Sequence, residues 1–431
     1  MDHPVVQESP ERLLLRLIVT RLLYNITIRL YGMFLHLAAF AGHPKAKQWV
    51  SGRRKWDAEL AKCIQGGPWV WFHCASLGEF EQGRPLLEAY RRQHPEKKIL
   101  LTFFSPSGYE IRKDYREADC VSYLPLDTPR NAARFLEIVR PECVFFIKYE
   151  YWFNFLKACN GAGAPVYLVS SIFRQRQWFF GPLAGSFLKE LASVKHYFVQ
   201  DEESADLLRS KGIGQVTVSG DTRFDRVKTI ADSGEKMEWL ETWKGAGQLL
   251  VAGSTWPEDE KLLAEYVSGA GRGIRLLLVP HETGENHLRE IEVLLEKHGW
   301  SDTAKRLSSI TGLPDADVQI IIVDRIGLLS KCYRYATVAY IGGGFGAGIH
   351  NTLEAAVFGV PVVFGPNYLK FKEARDLVQL NAAVSINDFE SLAGTLDTWF
   401  NSSETRLSSG RIGGEYVSKQ AGATARILSE L

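Results

Sequence analysis

A glutamate stands where a predicted strand turns into a predicted helix. The apolar residues 69–73 are typical of a buried strand, and Glu79 falls in the first turn of the helix that begins near Gly78. The positive end of a helix stabilises an ionised carboxylate, and such a group can accept a proton from an attacking hydroxyl. The pattern indicates a general base, and its alternative is a helix-start acid without a catalytic role.

A glycine-rich loop, residues 342–348, also follows a predicted strand and precedes a helix. The backbone N–H groups of such a loop bind anions such as phosphate. The loop fits the dinucleotide pattern GxGxxG/A, but the acidic residue expected about 20 positions later is missing. Instead, Glu354 follows Asn351 by one helical turn, where a carboxylate can hold ribose hydroxyls. The alternative for Glu354 is a surface acid of the helix.

Two further predicted strands end in polar residues. Gly253, Ser254 and Thr255 follow one of them, and His281 follows the next. Ser254 and Thr255 are candidates for phosphate or sugar contacts. Their alternative is helix capping, because Pro257 and three acids come directly after them.

No metal site or other cofactor is expected. The sequence has no GxxxxGK[ST], HExxH or GxSxG motif, and its DxD pair, Asp315 and Asp317, follows Pro314 in a predicted turn. None of the six cysteines has CxxC spacing. Most of them lie in or beside apolar runs, which predicts buried reduced thiols in a cytosolic protein and makes disulfides the alternative.

The elements that position these residues alternate between strands and helices. Apolar strands separated by helical stretches predict an α/β fold with two parallel, doubly wound halves and a substrate cleft between them. The predicted strands cover residues 69–73, 99–103, 120–124, 143–147, 166–169 and 196–199, then 248–252, 274–279, 319–323, 338–341 and 360–364.

Length and composition agree with a globular protein of two or three domains. The chain has 431 residues, 45% of them hydrophobic and 23% charged, which excludes wholesale disorder. Its 51 basic and 50 acidic residues give a net charge of +1, so no nucleic-acid partner working through a large basic face is expected.

The N-terminal segment predicts a long apolar helix that runs to about Gly42. Arginines interrupt it at positions 12, 16, 21 and 29, so it is neither a signal peptide nor an apolar stretch long enough to span a membrane. A basic run with Trp49 and Trp56 follows. Such helices lie in the headgroup layer of anionic membranes. The alternative is a core helix docked on the globular body.

Six motifs occur in one order along nearly the whole chain. Together they resemble the 3-deoxy-D-manno-octulosonic acid (Kdo) transferases of bacterial lipid A and lipopolysaccharide synthesis. The motifs are SLGE at 76–79, TFFSPSG at 102–108, GDTRFD at 220–225, GSTWxxDE at 253–260, GGG with HNxxE at 342–354 and GPNYxxF at 365–371.

The resemblance implies a GT-B fold, CMP-Kdo as donor and a lipid A precursor as acceptor. It implies inversion at the anomeric carbon without a metal, at the cytoplasmic face of the bacterial inner membrane. The implied domains are a membrane-surface helix over 1–44, an acceptor domain over 45–212, a nucleotide-sugar domain over 213–401 and a C-terminal helix over 402–431 that returns to the N-terminal domain.

The resemblance also assigns site residues. Glu79 matches the family's general base. The residues assigned to the donor are Gly253, Ser254, Thr255, His281, Gly342, Gly343, Gly344, Asn351 and Glu354. Those assigned to the acceptor are Ser76 and the basic residues Arg53, Arg54, Lys148, Arg174 and Arg176.

The chain departs from the family pattern at three places, which indicates a divergent branch. The segment from Pro280 lacks two arginines, Gly344 replaces a serine, and Lys148 begins a segment that usually reads ETELWP. Two alternatives stay open: a GT-B enzyme that uses a UDP- or ADP-sugar, and a non-catalytic lipid-binding module. The sequence does not give the number of Kdo units, the acyl pattern of the acceptor or the oligomeric state.

Overall fold

The computed structural model describes residues 10–181, 185–269 and 273–431. The chain divides into two compact units. The first unit comprises the residues up to Arg226 together with Gly422–Leu431, and the second unit comprises Val227–Ala421.

The first unit is built on a parallel sheet of seven strands in the order β3-β2-β1-β4-β5-β6-β7. The strands are apolar and mostly buried, as expected for a parallel sheet covered on both faces. The chain passes from β1 to β2 on one side and later to β4 on the other, so the strand order reverses beside β1. The strands are β1 (Trp69–Cys74), β2 (Lys98–Phe103), β3 (Cys120–Tyr123), β4 (Cys143–Ile147), β5 (Val166–Ser171), β6 (His196–Val199) and β7 (Val216–Val218).

The second unit repeats this architecture with a second parallel sheet of seven strands, in the order β10-β11-β9-β8-β12-β13-β14. Here the order reverses between β8 and β12, which pair through Ile341 and Gly253 at their carboxyl ends. Ligands of doubly wound sheets bind at such points. The strands are β8 (Leu249–Thr255), β9 (Arg275–Pro280), β10 (Ala304–Arg306), β11 (Ile320–Ile322), β12 (Val338–Ile341), β13 (Val362–Phe364) and β14 (Ala383–Ser385).

Helices connect the strands, and several begin with a capping residue followed by proline. Ser105 and Thr128 each accept a backbone N–H of the following first turn, which satisfies a donor left over at the helix start. The helices of the first part of the chain are α1 (Pro10–Phe40), α2 (Pro44–Ser51), α3 (Trp56–Cys63), α4 (Leu77–Gln93), α5 (Pro106–Arg112), α6 (Pro129–Val139), α7 (Phe153–Gly161), α8 (Gly185–Ala192), α9 (Glu202–Ser210) and α10 (Thr222–Asp232). The later helices are α11 (Glu238–Lys244), α12 (Pro257–Ser268), α13 (Glu285–Lys297), α14 (Leu329–Cys332), α15 (Leu353–Ala356), α16 (Lys372–Gln379), α17 (Phe389–Asn401), α18 (Ser403–Gln420) and α19 (Ala423–Leu428).

The long helix α1 is fastened to the first unit through polar side chains on one face. Tyr24 donates a hydrogen bond of 2.5 Å to the buried carboxylate of Asp127. Arg21 forms an ion pair of 2.9 Å with Glu190. Burial raises the pKa of Asp127 to about 6, although Tyr24 and two backbone N–H groups of α7 bond to it. This face of α1 is therefore part of the folded unit.

The opposite face of α1 exposes large apolar side chains. Phe34 is 64% exposed and Leu37 is 60% exposed. Within the described residues, no helix has both the length and the apolar character needed to cross a membrane. The side chains of Arg12 and Arg16 lie outside the description. The other exposed apolar residues of this face are Ile18, Val19, Leu22, Leu23, Ile26, Leu30, Met33 and Phe40.

The division of the chain differs from the predicted boundaries. The first unit continues past residue 212, because β7 pairs with β6 and extends the sheet. At the other end, α18 belongs to the second unit, where Gly410 packs closely against Gly359. Of the segment 402–431, only the part from Gly422 belongs to the first unit.

One cysteine pair contradicts the prediction of reduced thiols. Cys63 and Cys120 form a disulfide with their Cα atoms 5.9 Å apart. The spacing of 57 residues gave no sequence signal for this pair. Cys74, Cys159 and Cys332 are free and buried, as predicted.

Candidate functional site

The carboxyl end of β1 places Glu79 in the first turn of α4. Ser76 is the residue that precedes this helix, and its hydroxyl donates a hydrogen bond to the Glu79 carboxylate. Glu79 is half-buried. The carboxylate therefore lies beside the point where the strand order reverses, held by Ser76 and still reachable by a substrate hydroxyl. The structure brings these two predicted residues together.

A buried polar cluster lies next to this position and was not predicted. His73 is fully buried, and its Nε2 atom lies 3.2 Å from the carboxylate of Glu150. Its Nδ1 atom lies 2.9 Å from the hydroxyl of Thr102, and Trp152 donates to Glu150. The cluster joins the end of β1 to the loop after β4. A histidine inside an apolar strand, and a glutamate just past a strand end, were the available signals.

Three of the predicted acceptor cations lie at or beyond carboxyl ends of the same sheet. Lys148 follows β4 in a left-handed backbone conformation, with φ of +72°, and its ammonium lies 5.2 Å from the ring centre of Tyr149. Arg174 and Arg176 are exposed in the loop after β5. Arg54 is also exposed, at the end of the segment that follows α2.

Arg53 is not available to an acceptor, and its predicted role is wrong. The side chain is 8% exposed, and its guanidinium donates to the carbonyls of Leu124, Trp49 and Phe104. Burial lowers the pKa of Arg53 to about 9. The run of basic residues suggested a solvated patch, but this arginine holds α2 to the strand ends beneath it.

Replacing Arg53 with alanine is expected to lower the free energy of unfolding by about 2–4 kcal/mol, since three buried carbonyls lose a charged donor. Replacing Arg54 with alanine should change it by less than about 0.5 kcal/mol, as is usual for a surface site. Urea denaturation of the two variants measures both values. Equal stabilities would contradict the structural role of Arg53.

In the second unit, the loops after β8 and β12 are in close contact. A Cβ atom on Gly342 would lie 2.3 Å from the carbonyl oxygen of Ser254, and one on Gly253 would lie 2.0 Å from the hydroxyl of Tyr333. Ser254 has a φ of +54°. Glycine is therefore needed at both positions so that the two loops can meet at the point of strand-order reversal.

Two N–H groups of the predicted anion loop are already bonded within the protein. Gly343 donates to Asp259 at 2.9 Å, and Gly342 donates to the carbonyl of Gly253 at 2.9 Å. Asp259 also accepts from the hydroxyl of Tyr340 and the backbone of Trp256. These two glycines therefore shape the loop, and the prediction that their N–H groups hold phosphate is corrected. Gly344 packs its backbone against Gly365.

Thr255 and Glu260 form a second buried polar group that the sequence did not reveal. The Thr255 hydroxyl donates to Glu260 at 3.0 Å, and His287 lies 3.1 Å from the same carboxylate oxygen. Burial raises the pKa of Glu260. The Thr255 hydroxyl therefore donates to Glu260 and not to a phosphate, and Glu260 is more than the plain helix-start acid that its position indicated.

Asn351 and Glu354, both assigned to the donor, contact each other. The amide of Asn351 donates to the Glu354 carboxylate at 3.1 Å, and its carbonyl oxygen accepts the N–H of Leu353 at 3.1 Å. Both side chains are half-buried at the start of α15. A carboxylate oriented in this way can accept hydrogen bonds from a diol.

Three aromatic rings form a stack at the carboxyl ends of β8, β9 and β12. The ring of His281 lies 4.9 Å from that of Trp256 on one side and 4.4 Å from that of His350 on the other, with interplanar angles of 24° and 25°. The indole N–H of Trp256 also lies 3.2 Å from Nε2 of His350. Burial, together with the charge of His281, lowers the pKa of His350 to about 4. His281 itself is exposed.

A cleft of about 490 Å³ opens beside this stack. Trp256 and His287 line it together with the start of α13, including Glu282 and Glu290. In the described part of the chain, no group of three or more histidine, cysteine, aspartate or glutamate side chains is arranged to hold a metal ion.

Two doubly wound parallel sheets of this kind define the architecture of the GT-B-like fold. A solved UDP-GlcNAc 2-epimerase from Neisseria meningitidis has this fold, with a TM-score of 0.59 and 14% identity over 84% of this chain and 99% of that chain. A putative epimerase from Listeria monocytogenes has a TM-score of 0.56 over 84% and 95% of the two chains, with 14% identity. These likenesses confirm the predicted fold.

The family relationship follows from the sequence. Residues 47–226 match the family described as 3-deoxy-D-manno-octulosonic-acid transferase (kdotransferase). The 3-deoxy-D-manno-octulosonic acid transferase of Chlamydia trachomatis serovar A is 29% identical over 84% of this chain and 87% of the relative. That of Aquifex aeolicus is 27% identical over 77% and 85%. Residues 47–226 therefore match the Kdo transferase family, the predicted resemblance is confirmed, and the protein is a glycosyltransferase.

Proposed function

We propose that the protein transfers Kdo from CMP-Kdo to a lipid A precursor, with inversion at the anomeric carbon, without a metal, and with Glu79 as the general base. The observation that carries this proposal is the half-buried Glu79 at the reversal point of the first sheet, within the segment that matches the family. Its carboxylate is bonded to Ser76 and belongs to the first turn of α4.

Glu79 takes the proton from the acceptor hydroxyl as that oxygen attacks the anomeric carbon of Kdo. The new glycosidic C–O bond forms while the C–O bond to the phosphate of CMP breaks, and CMP leaves with the bonding electrons. A single displacement of this kind inverts the anomeric configuration. Ser76 orients the carboxylate, and the start of α4 stabilises its ionised form until the proton arrives.

The second unit would hold the donor. Glu354, oriented by Asn351, is the candidate for the ribose hydroxyls. Ser254 lies beside the loop that contains Gly342, where the two strand ends meet, and is a candidate for the phosphate. The cleft beside Trp256 has room for part of a nucleotide.

The exposed face of α1 supports a place on the cytoplasmic leaflet of the inner membrane, in a peripheral position. Apolar side chains such as Phe34 and Leu37 point away from the unit that α1 is fastened to. Arg54, Arg174 and Arg176 are exposed cations that suit the phosphates of a lipid A precursor. Lying on the leaflet raises the effective concentration of a lipid acceptor.

Mass spectrometry of the product from purified protein, CMP-Kdo and lipid A precursor tests the function directly. The expected product is the acceptor plus one or more Kdo units, formed equally well with EDTA present. Parallel reactions with UDP- and ADP-sugars test the alternative donors. Product from one of these, and none from CMP-Kdo, would overturn the proposed donor. No product from any donor would favour the non-catalytic alternative.

Replacing Glu354 with alanine is expected to weaken CMP binding by about 1–3 kcal/mol, the value of hydrogen bonds to a charged group. Isothermal titration measures the loss. The control is Glu258→Ala, because Glu258 is an exposed acid in the first turn of α12. Glu260 is unsuitable as a control because it is buried and bonded to Thr255 and His287. An equal loss in both variants would contradict the ribose assignment.

A further inference from the structure

The stack of Trp256, His281 and His350 places one exposed imidazole among the groups assigned to the donor. His281 follows β9, and its backbone N–H donates to the carbonyl of Thr255 at 3.0 Å, which fixes it beside the end of β8. The backbone N–H of His350 donates to Gly342 at 3.2 Å, which fixes the other imidazole beside the loop after β12. The two imidazoles are thus held over the point where the strand order reverses.

Of the two imidazoles in the stack, His350 is the one on which the structure disfavours a positive charge. His350 is half-buried, and its pKa is lowered to about 4 by burial and by the charge of its neighbour. Its Nε2 atom also receives the indole N–H of Trp256, which requires an unprotonated nitrogen. His281 is exposed, so its protonated form keeps its contact with water.

Most of the neighbouring ionisable groups already have partners. Asp259 is bonded to Tyr340 and to the backbone of Gly343, and Glu260 is bonded to Thr255 and His287. Lys370 is also nearby, and its ammonium lies 2.5 Å from the carbonyl of Ala347. The remaining ionisable groups on the elements around His281 are His350 after β12, Glu258, Asp259 and Glu260 in α12, Glu282 on the same loop, and Glu285, His287 and Glu290 in α13.

We propose that His281 binds the donor phosphate as an imidazolium, so that nucleotide binding takes up a proton and weakens as the pH rises. This inference rests on the proposed CMP donor and assigns to His281 the charge that the loop N–H groups of Gly342 and Gly343 cannot supply, since both are bonded elsewhere. The anion lies against a cation that is stacked on Trp256 and His350. An anion beside an imidazole stabilises the protonated form and so raises the pKa of the imidazole. Because binding raises this pKa, protonation strengthens binding, and affinity falls as the pH rises.

The test is isothermal titration with the methyl ester of CMP, whose phosphodiester keeps one charge throughout the pH range. For a one-unit rise in the pKa of His281 on binding, from the ordinary histidine value, affinity should fall about sevenfold between pH 6 and pH 8.5. Titrations in buffers of different ionisation enthalpy should show uptake of about half a proton at the midpoint. Cytidine, which lacks the phosphate, should bind without proton uptake.

Two variants assign the effect to one ring. His281→Arg should bind the ester with no pH dependence, because its charge is permanent. His281→Gln should bind it weakly at every pH, without proton uptake. His298→Gln is the control, since His298 lies at the far end of α13, and it should behave as the wild type.

Three outcomes would overturn the inference. They are binding of the ester by the wild type with no proton uptake, uptake that persists in His281→Gln, and equal uptake with cytidine. If the wild type bound neither CMP nor its ester, the proposed donor would fall as well, so the two failures can be told apart. Thermal melts establish that each variant is folded.

Discussion

Replacing Glu79 with glutamine is expected to slow Kdo transfer by about 10²–10⁴-fold, the usual contribution of a general base. The amide keeps the size of the side chain and can still bond to Ser76, but it cannot take the proton from the acceptor hydroxyl. CMP affinity and the melting temperature should stay close to those of the wild type. The measurement is the initial rate of transfer to the lipid A precursor at saturating CMP-Kdo.

Glu81 provides the matched control for this experiment. It lies on the same helix, and it forms surface ion pairs with Arg112 at 2.8 Å and with Arg226 at 3.1 Å. Glu81→Gln should retain most of the activity. A Glu79→Gln enzyme that kept more than about a tenth of the wild-type rate would refute the assignment of the base, because the loss would lie below the range for such groups.

Placing acids on the exposed face of α1 is expected to abolish binding to anionic vesicles. A variant with Leu22, Phe34 and Leu37 all changed to glutamate loses three large apolar side chains, each worth about 1.5–3 kcal/mol when fully buried. It also adds three charges that an anionic surface repels. Transfer to an acceptor embedded in vesicles should fall by about 100-fold or more, while transfer to a dispersed acceptor should change little. Vesicle sedimentation and the two rates are the measurements.

The control carries the same three charges elsewhere. Gln93, Thr311 and Asn401 are exposed polar residues, and glutamate at all three should leave vesicle binding nearly unchanged. If the helix variant sedimented with vesicles as well as this control did, α1 would not be the membrane-binding element.

Truncation before Lys45 would not separate the two roles that the sequence left open for α1. It would remove Tyr24 from the buried Asp127 and Arg21 from Glu190, and leaving a buried polar group without its partner costs about 1–3 kcal/mol. A loss of activity could then follow from a damaged fold. Point substitutions on the exposed face avoid this problem, because those side chains make no part of the core.

The fold could be predicted well from the sequence because strands of a parallel sheet are buried on both faces. Runs such as residues 143–147 and 338–341 are apolar throughout, and both form the strands expected of them. Three short edge strands, β7, β10 and β14, were missed, whereas the edge strand β3 was predicted. Val216–Val218 and Ala383–Ser385 have three residues each, too few for a periodic signal. The predicted boundary at residue 212 was displaced for this reason.

The candidate site was predictable where a residue acts close to its own chain neighbours. Ser76 with Glu79, and Asn351 with Glu354, are pairs three residues apart at a helix start, and both pairs form contacts. Contacts between distant segments left no such pattern. His73 meets Glu150 across 77 residues, and Asp259 meets Gly343 across 84. Arg53 was misjudged for the same reason, because its partners include Phe104 and Leu124.

The fastening of α1 has a consequence for how the enzyme would search for its acceptor. The helix has 31 residues, so it extends for about 45 Å at 1.5 Å per residue. A rod of that length, joined to the first unit at Arg21 and Tyr24, would transmit the plane of the leaflet to Glu79, the proposed general base. On the proposed membrane, this attachment would suppress changes in the tilt and the depth of the first unit. Lateral diffusion and rotation about the bilayer normal would remain. Glu79 would then move over the surface at a fixed height, so the proposed glycolipid acceptor would be recognised partly by the reach of its headgroup.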